Sequence, residues 1–412
     1  MKRLKIALII DKFDPRSGGV ERYTQYLAES LADNGHELHV FCRRGSSSNK
    51  GIVVHEISTI DHPKFLRLLT FVRGVRKQVK KEDYDIIHGL GHNPGVTVLN
   101  SHTGVEQAWF DADDKSRESV PALLWGRIHR FLSPRRWLIL SLQRQQYRDP
   151  GVRAIVSHSD KVKNDIIRYH GIKADRIQVV YNGIDITRFK PQNRDRYRES
   201  ERTKLGLAED EIMILTATNN YRLKGIFPAI RTLPLLEKRV KKPFRLLIAG
   251  RDDDRPYRKE AERLGVSNRV VFMNHVEDIV PLYAAADIFL LPTFYDTFGN
   301  VILEAIASGL PVVTTRNAGA SVFVKSKIMG RVLDDPRDHE AMAAALSCYF
   351  PEEARTKALA VSREVYTQYT KIENARMFQE IYERILSPYQ VQAPVPISTD
   401  KPPIRVHVKR FI

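Results

Sequence analysis

The chain of 412 residues is 42% apolar and 28% charged, long enough for two domains of roughly 150 to 200 residues and unlike a disordered chain. Its two cysteines, Cys42 and Cys348, exclude a disulfide framework, and no Cys/His spacing outlines a zinc site, so a reducing cytosol is the expected home. The formal charge of +17 is concentrated in residues 1–190, which hold 32 Lys and Arg against 21 Asp and Glu; nucleic acid, an anionic membrane surface, a phosphorylated acceptor or plain solubility would each account for it.

The first apolar run, Leu4 to Ile10, stops at Asp11 and Lys12. It is too short for a secretory or membrane-spanning segment, and no other uninterrupted apolar run approaches about 18 residues. It reads as a buried parallel strand, followed by a loop from Asp11 to Gly19 and a helix from Val20 to Asn34 that stops at Gly35. Strands over Glu37 to Cys42 and Ile52 to Ile57 complete a βαβ alternation, which predicts a doubly wound parallel sheet. Gly18 and Gly19 thus sit at the first strand-to-helix turn, where missing side chains let backbone N–H groups approach an anion, although a plain turn reads equally from a Gly pair. Pro63 to Lys81 reads as a basic amphipathic helix that suits either the protein core or an anionic lipid surface. Strands at Asp85 to His88 and Gly95 to Asn100 lead to the loop Ser101-His102-Thr103-Gly104. His102 is the imidazole best placed to reach a ligand between domains, whereas His88 and His92 read as structural. Val120 to Tyr147 interleaves Trp, aliphatics and Arg, as does a segment that embeds in headgroups while Arg snorkels to phosphate. A strand at Ala154 to Val156, a helix at Asp160 to His170, a strand at Ile177 to Val180 and the turn Asn182-Gly183-Ile184-Asp185 precede a polar stretch to about 205, where the domain boundary falls.

The second half repeats the alternation. The strand Ile212 to Ala217 opens into a loop holding Arg222 and Lys224, and the strand Ile288 to Leu291 delivers the chain to Asp296, Phe298, Gly299, Asn300, Val301 and Glu304, where a loop turns into a helix. Cations there would neutralise a diphosphate, the amides of Gly299, Asn300 and Val301 would hold a phosphate oxygen, and the two carboxylates would accept from sugar or ribose hydroxyls. Helices are expected at Asp338 to Tyr349, Glu352 to Tyr369 and Lys371 to Ser387, before a Pro-rich tail. The acidic runs Asp111 to Asp114 and Asp252 to Asp254 read as exposed loops, and no metal site is expected.

Asp296 and Glu304, flanking Phe298-Gly299 and followed by Ala305-Ile306-Ala307-Ser308-Gly309-Leu310-Pro311-Val312-Val313, resemble the E-x7-E signature of retaining GT-B glycosyltransferases of family 4. Gly18-Gly19 with Arg22, the Ser101-His102-Thr103 loop, Asn182-Gly183-Ile184-Asp185 and Lys224-Gly225 match in the same order, over residues 4 to about 385. Two departures stand out: Asp296 occupies the place of the first Glu, and Asn219-Asn220-Tyr221-Arg222 replaces the usual Gly-Arg before Lys-Gly, so Arg222 carries over by proximity alone. The resemblance implies an α/β GT-B fold: two Rossmann-like doubly wound domains facing a central cleft, with 1–190 binding the acceptor, 205–370 binding the nucleotide-sugar, 371–387 returning as a helix to the first domain and 388–412 forming the tail. It implies His102, Arg222, Lys224 and Asp296 as catalytic residues, and Gly18, Gly19, Phe298, Gly299, Asn300, Val301 and Glu304 as donor-binding ones, with no metal or cofactor. Within the family the chain is similar to heptose-directed glucosyltransferases of the lipopolysaccharide core. That implies a UDP-sugar donor, a glycan or glycolipid acceptor with or without phosphate, and a cytoplasmic protein peripheral on an anionic inner-membrane surface. Other glycan acceptors, a nucleotide-sugar epimerase and a non-catalytic sugar-nucleotide binder are the alternatives. Nucleic-acid binding has no motif beyond charge.

Overall fold

The computed structural model describes residues 3–15, 18–366 and 368–387; the Pro-rich tail lies outside them. Two parallel sheets organise the chain. In the first, strands beginning at Ile52, Glu37, Lys5, Ile86, Val98, Ala154 and Ile177 lie side by side in that order. In the second, the order is Val270, Phe244, Ile212, Ile288, Val312 and Gly330. Both sheets step outward from their first strand and then return to build on its other side, the doubly wound pattern expected from the sequence. Ile6 thus pairs with Leu38 and Ile86, and Ile214 with Leu246 and Ile288. Helices cover both faces, which is why Ile6, Ala7, Leu8, Ile214, Leu246 and Ile288 are fully buried in near-continuous apolar runs. The crevice opens where the strand order reverses, beyond the carboxyl ends of the strands.

The last helix, Lys371–Leu386, crosses back as expected. Gly183 makes the crossing possible, since a Cβ there would lie 2.4 Å from the Thr370 carbonyl, and Ile184 N donates to Tyr369 O at 2.8 Å. Phe378, Ile381 and Tyr382 join the core of the first sheet with Leu8 and Leu27, and the Tyr382 hydroxyl meets His88 Nδ1 at 2.6 Å.

Three helices were not anticipated: Glu106–Lys115, Asn193–Lys204 and Arg255–Arg263. Asn193–Lys204 has almost no apolar period to read. It is held by charge, with Arg198 and Arg202 paired to the buried Asp287 at 2.6 and 3.1 Å. The polar run placed at the boundary forms this helix, which packs on the helix Val280–Ala285 of the second half. The expected basic helix is Lys64–Val79, and it turns Phe71, Val72, Val75 and Val79 inward. In contrast, 120–147 forms two helices, Val120–Phe131 and Pro134–Arg148, of which the first buries only Gly126. Among the described residues no helix is long and apolar enough to cross a membrane.

Candidate active site

The loop after the strand Ile288–Leu291 is stitched to the loop after Ile212–Ala217. Thr293 Oγ1 donates toward Leu223 O at 3.1 Å, and Phe294 N to the same carbonyl at 2.8 Å. Gly225 closes this junction at φ +77, with room for no side chain: a Cβ would stand 1.9 Å from Pro292 O. The preceding residue is thereby aimed at the neighbouring loop, and Lys224 Nζ lies 2.5 Å from Asp296 Oδ2 and 3.2 Å from Tyr295 O. The other Asp296 oxygen accepts from Phe298 N at 3.3 Å, a local turn that fixes the carboxylate. Gly299, at φ +89, then launches the helix Asn300–Ala307, whose first amides have no intrahelical acceptor. One turn in, Glu304 is buried and its Oε2 accepts from the Tyr283 hydroxyl at 3.0 Å. Burial pushes its carboxyl above the usual range, while the Tyr283 hydrogen bond and the charges of Arg22, Arg188 and Lys371 pull it back.

The first domain supplies the opposite wall. Gly19 begins its helix against the second domain, since a Cβ on it would lie 3.5 Å from Asn300 Nδ2. Asn182 Nδ2 donates to Asn300 Oδ1 at 2.9 Å, and Ser159 Oγ to Thr297 O at 2.6 Å. His102 is stacked between Tyr23 and His158, with ring centroids 4.6 and 4.4 Å away. Burial first, and then His158, hold its imidazole well below the ordinary value; its Nδ1 has no hydrogen-bond partner among the described residues. The ring is neutral at physiological pH, able to offer or accept one hydrogen bond.

A cleft of about 490 Å³ gathers Gly18, Gly19, His102, Lys224, Asp296, Phe298, Gly299, Asn300, Val301 and Glu304. Arg222 is the exception. It reaches away from the cleft to an ion pair with Asp113, on the helix Glu106–Lys115, and to Ser116. The diphosphate role expected for it is not supported by its place outside the cleft lining, whereas Lys224, which also pairs with a carboxylate, lines the cleft. The acidic runs are equally engaged: Asp252 accepts from Tyr221 N at 2.6 Å, Asp253 pairs with Arg255 at 2.7 Å and Asp114 with Arg127 at 2.8 Å. Sequence reasoning missed Arg188, Tyr283 and Lys371 as lining or supporting residues. Lys371 pairs with Asp185 at 2.7 Å and stands over the Tyr26 ring, delivered by the returning helix. Asn182 and Arg22 were visible only as parts of turn-like motifs.

Two family models match the chain: Glycosyltransferase Family 4 over residues 17–188 and Glycosyl transferases group 1 over 210–350. The D-inositol 3-phosphate glycosyltransferase of Corynebacterium urealyticum is 32% identical over 400 residues, covering 90% of this chain and 91% of that protein. The lipopolysaccharide glucosyltransferase WaaG of Escherichia coli K12 is 26% identical, over 83% and 88% of the two chains. A crystal structure of WaaG superposes with a TM-score of 0.76 at 23% identity, over 92% of this chain and 99% of that one. Anabaena Alr3699/HepE, solved in complex with UDP and glucose, superposes at 0.69 with 18% identity, over 92% and 100%.

Proposed function

The chain belongs to the group 1, family 4 glycosyltransferases of GT-B fold, and from that membership we propose that it is a retaining hexosyltransferase, moving a hexose from a UDP-sugar to a membrane-linked glycan such as the lipopolysaccharide core. The observation that carries this reading is a single cleft with Lys224, Asp296, Glu304 and the open amides of the helix Asn300–Ala307 on one wall, and Gly19 and His102 on the other. Glu304 accepts from the ribose hydroxyls, Lys224 and the helix amides take the diphosphate, and Asp296 accepts from the transferred sugar. The Lys224–Asp296 pair keeps both groups in place in the free enzyme and opens as the donor enters.

In the reaction the bond from the anomeric carbon to the diphosphate oxygen breaks through an oxocarbenium-like state, and the acceptor oxygen bonds on the same face. The acceptor proton passes to the departing phosphate oxygen, so no protein nucleophile is required. Neutral His102 positions a sugar hydroxyl. The relatives support the choice of substrates: WaaG acts in lipopolysaccharide biosynthesis, and the Anabaena protein binds UDP and glucose. A second reading, transfer to a small phosphorylated polyol, is favoured by the D-inositol 3-phosphate glycosyltransferases among the relatives. The row of exposed apolar residues on Val120–Phe131 supports peripheral attachment to the cytoplasmic face of an anionic membrane.

The test is a hydrolysis screen across UDP-, ADP- and GDP-hexoses, followed by transfer to truncated lipopolysaccharide cores and to inositol phosphate. Turnover of a UDP-hexose with the donor's anomeric configuration kept in the product is expected. An inverted product would refute retention, and release of an isomerised sugar without any acceptor product would identify an epimerase instead.

A further inference from the structure

A second cavity, of about 870 Å³, shares no lining residue with the donor cleft. It lies in the first domain, where the short strand Lys12–Phe13 pairs with Arg44–Gly45 and faces the start of the helix Lys64–Val79. Its charged lining is Lys12, Arg43, Arg44 and Arg67 against Asp14 and Asp61. The anions are largely committed: Asp61 serves Arg44 at 3.3 Å and Arg43 at 3.8 Å, and nearby Asp11 serves Arg43 at 3.2 Å. Lys12 and Arg67 make no ion pair among the described residues. The hydroxyls of Ser46 and Ser48 complete a donor-rich wall. Such a concave site, with cations in excess and hydroxyl donors beside them, is built for a compact dianion.

Its position says which dianion. Lys12, Phe13, Asp14 and Pro15 of the cavity and Gly18 and Gly19 of the donor cleft lie within eight residues of one another on the connection between the first strand and the first helix. One molecule reaching from the cavity to the cleft would present a hydroxyl to the cleft and leave a charged group in the cavity. Resting on the transferase reading above, we propose that this cavity is an acceptor subsite that binds a phosphate monoester carried by the acceptor sugar. The subsite selects phosphorylated over unphosphorylated acceptors, and its cations come from residues outside the donor site.

Titration of the full chain with glucose 6-phosphate, glucose and inorganic phosphate, followed by calorimetry, tests this. Glucose 6-phosphate should bind saturably and at least about tenfold more tightly than glucose, with affinity falling as salt rises. The double variant Lys12→Gln, Arg67→Gln should lose at least about tenfold in that affinity; both side chains are partly exposed, and an unchanged thermal transition verifies folding. Lys224→Gln should bind glucose 6-phosphate as wild type does while losing affinity for UDP. Absence of glucose 6-phosphate binding in the wild type, indifference to the double variant, or loss in Lys224→Gln alone would each overturn the subsite. A loss confined to vesicles of phosphatidylglycerol, with glucose 6-phosphate binding intact, would overturn it in favour of a lipid headgroup as the phosphate source. UDP binding by the wild type is read separately: its absence refutes the transferase reading, whereas its presence with no phosphate subsite refutes only this inference.

Discussion

Glu304 is a buried carboxylate whose neutral Tyr283 donor, 3.0 Å away, does not compensate its charge. Such a group lowers the stability of the free protein and is explained by what it binds. Glu304→Gln keeps the shape and removes the charge, so the thermal transition is expected to stay or rise. Hydrogen bonds to a charged acceptor contribute about 1.5–3 kcal/mol, so UDP affinity is expected to fall by about 10- to 100-fold. The raised carboxyl pKa also sets a pH direction: UDP affinity should decline as pH falls through a range above that of an ordinary glutamate, because the protonated form no longer accepts twice. Calorimetric UDP titrations of both proteins across pH check this; wild-type affinity in Glu304→Gln would show that the ribose does not meet it. Lys224 and Asp296 form the second test. Both side chains are less than a fifth exposed at 2.5 Å separation, so Lys224→Gln leaves a poorly hydrated carboxylate and is expected to cost about 1–3 kcal/mol of stability. Its kcat/KM should drop by about 10²- to 10³-fold, the usual effect of removing one charge-stabilising donor. Unfolding of Lys224→Gln, Asp296→Asn and the double variant should give a coupling above about 0.5 kcal/mol, and additivity would deny that the pair exists in solution.

At the scale of elements, the helix Glu106–Lys115 is a meeting point. Its Asp113, 1% exposed, takes Arg222 from the second domain and Arg117 and Arg130 from around the apolar helix pair. Arg222→Gln is therefore expected to loosen the contact between domains, seen as a broader distribution in small-angle scattering, while UDP affinity stays within about threefold. A loss of tenfold or more would return Arg222 to the diphosphate. This is also where the sequence was least readable. Lys224 could be placed because Gly225 permits only one close approach, whereas Arg222, two residues earlier, is positioned by an aspartate more than a hundred residues away. The strands and most helices could be read because parallel strands covered on both faces must be apolar and their crossovers must be amphipathic. The helix Asn193–Lys204 escaped that logic, since a buried Asp287 replaces an apolar stripe as its anchor. Lys371 escaped it too, because a returning helix brings distant residues to the cleft with no local signal.

For the whole molecule, acid should be more damaging than the +17 charge alone suggests. His88, His102 and His158 are all within 4% of complete burial, and desolvation holds their imidazoles down, to about 3 for His88 and His158. Below pH ~6.5 the unfolded chain binds protons at these sites and the folded chain does not, so stability is full above that value and is lost as pH falls toward the depressed folded values. Each imidazole contributes about 1.4 kcal/mol per pH unit, up to about 4 kcal/mol for the three by pH 5.5. Denaturant midpoints at pH 7.5, 6.5 and 5.5 measure it, and a flat profile would mean that these rings are hydrated.

The same distribution of charge and apolar surface bears on where the enzyme works. Val120, Leu124, Trp125, Ile128, Phe131, Leu132 and Trp137 are between 52% and 70% exposed, a concentration unlike scattered surface residues. They lie on and just beyond a helix that buries only Gly126, so their exposure does not stabilise the fold. Transfer of half-exposed side chains of this size into a bilayer interface gains roughly 1 kcal/mol each, and each nearby Arg adds about 1 kcal/mol at an anionic surface. Vesicles of phosphatidylglycerol and phosphatidylethanolamine are therefore expected to bind the protein more tightly than phosphatidylcholine vesicles do, and most of that difference should vanish in 1 M salt, where the screening length is about 3 Å. Trp125→Ser with Ile128→Ser should weaken vesicle binding by at least about tenfold without moving the thermal transition, because no core packs beneath them. Equal binding to neutral and anionic vesicles would remove the membrane from the mechanism. A charge-dependent result would instead anchor the first domain by the element whose Arg130 holds Asp113, linking the membrane contact to the pair that joins the two domains.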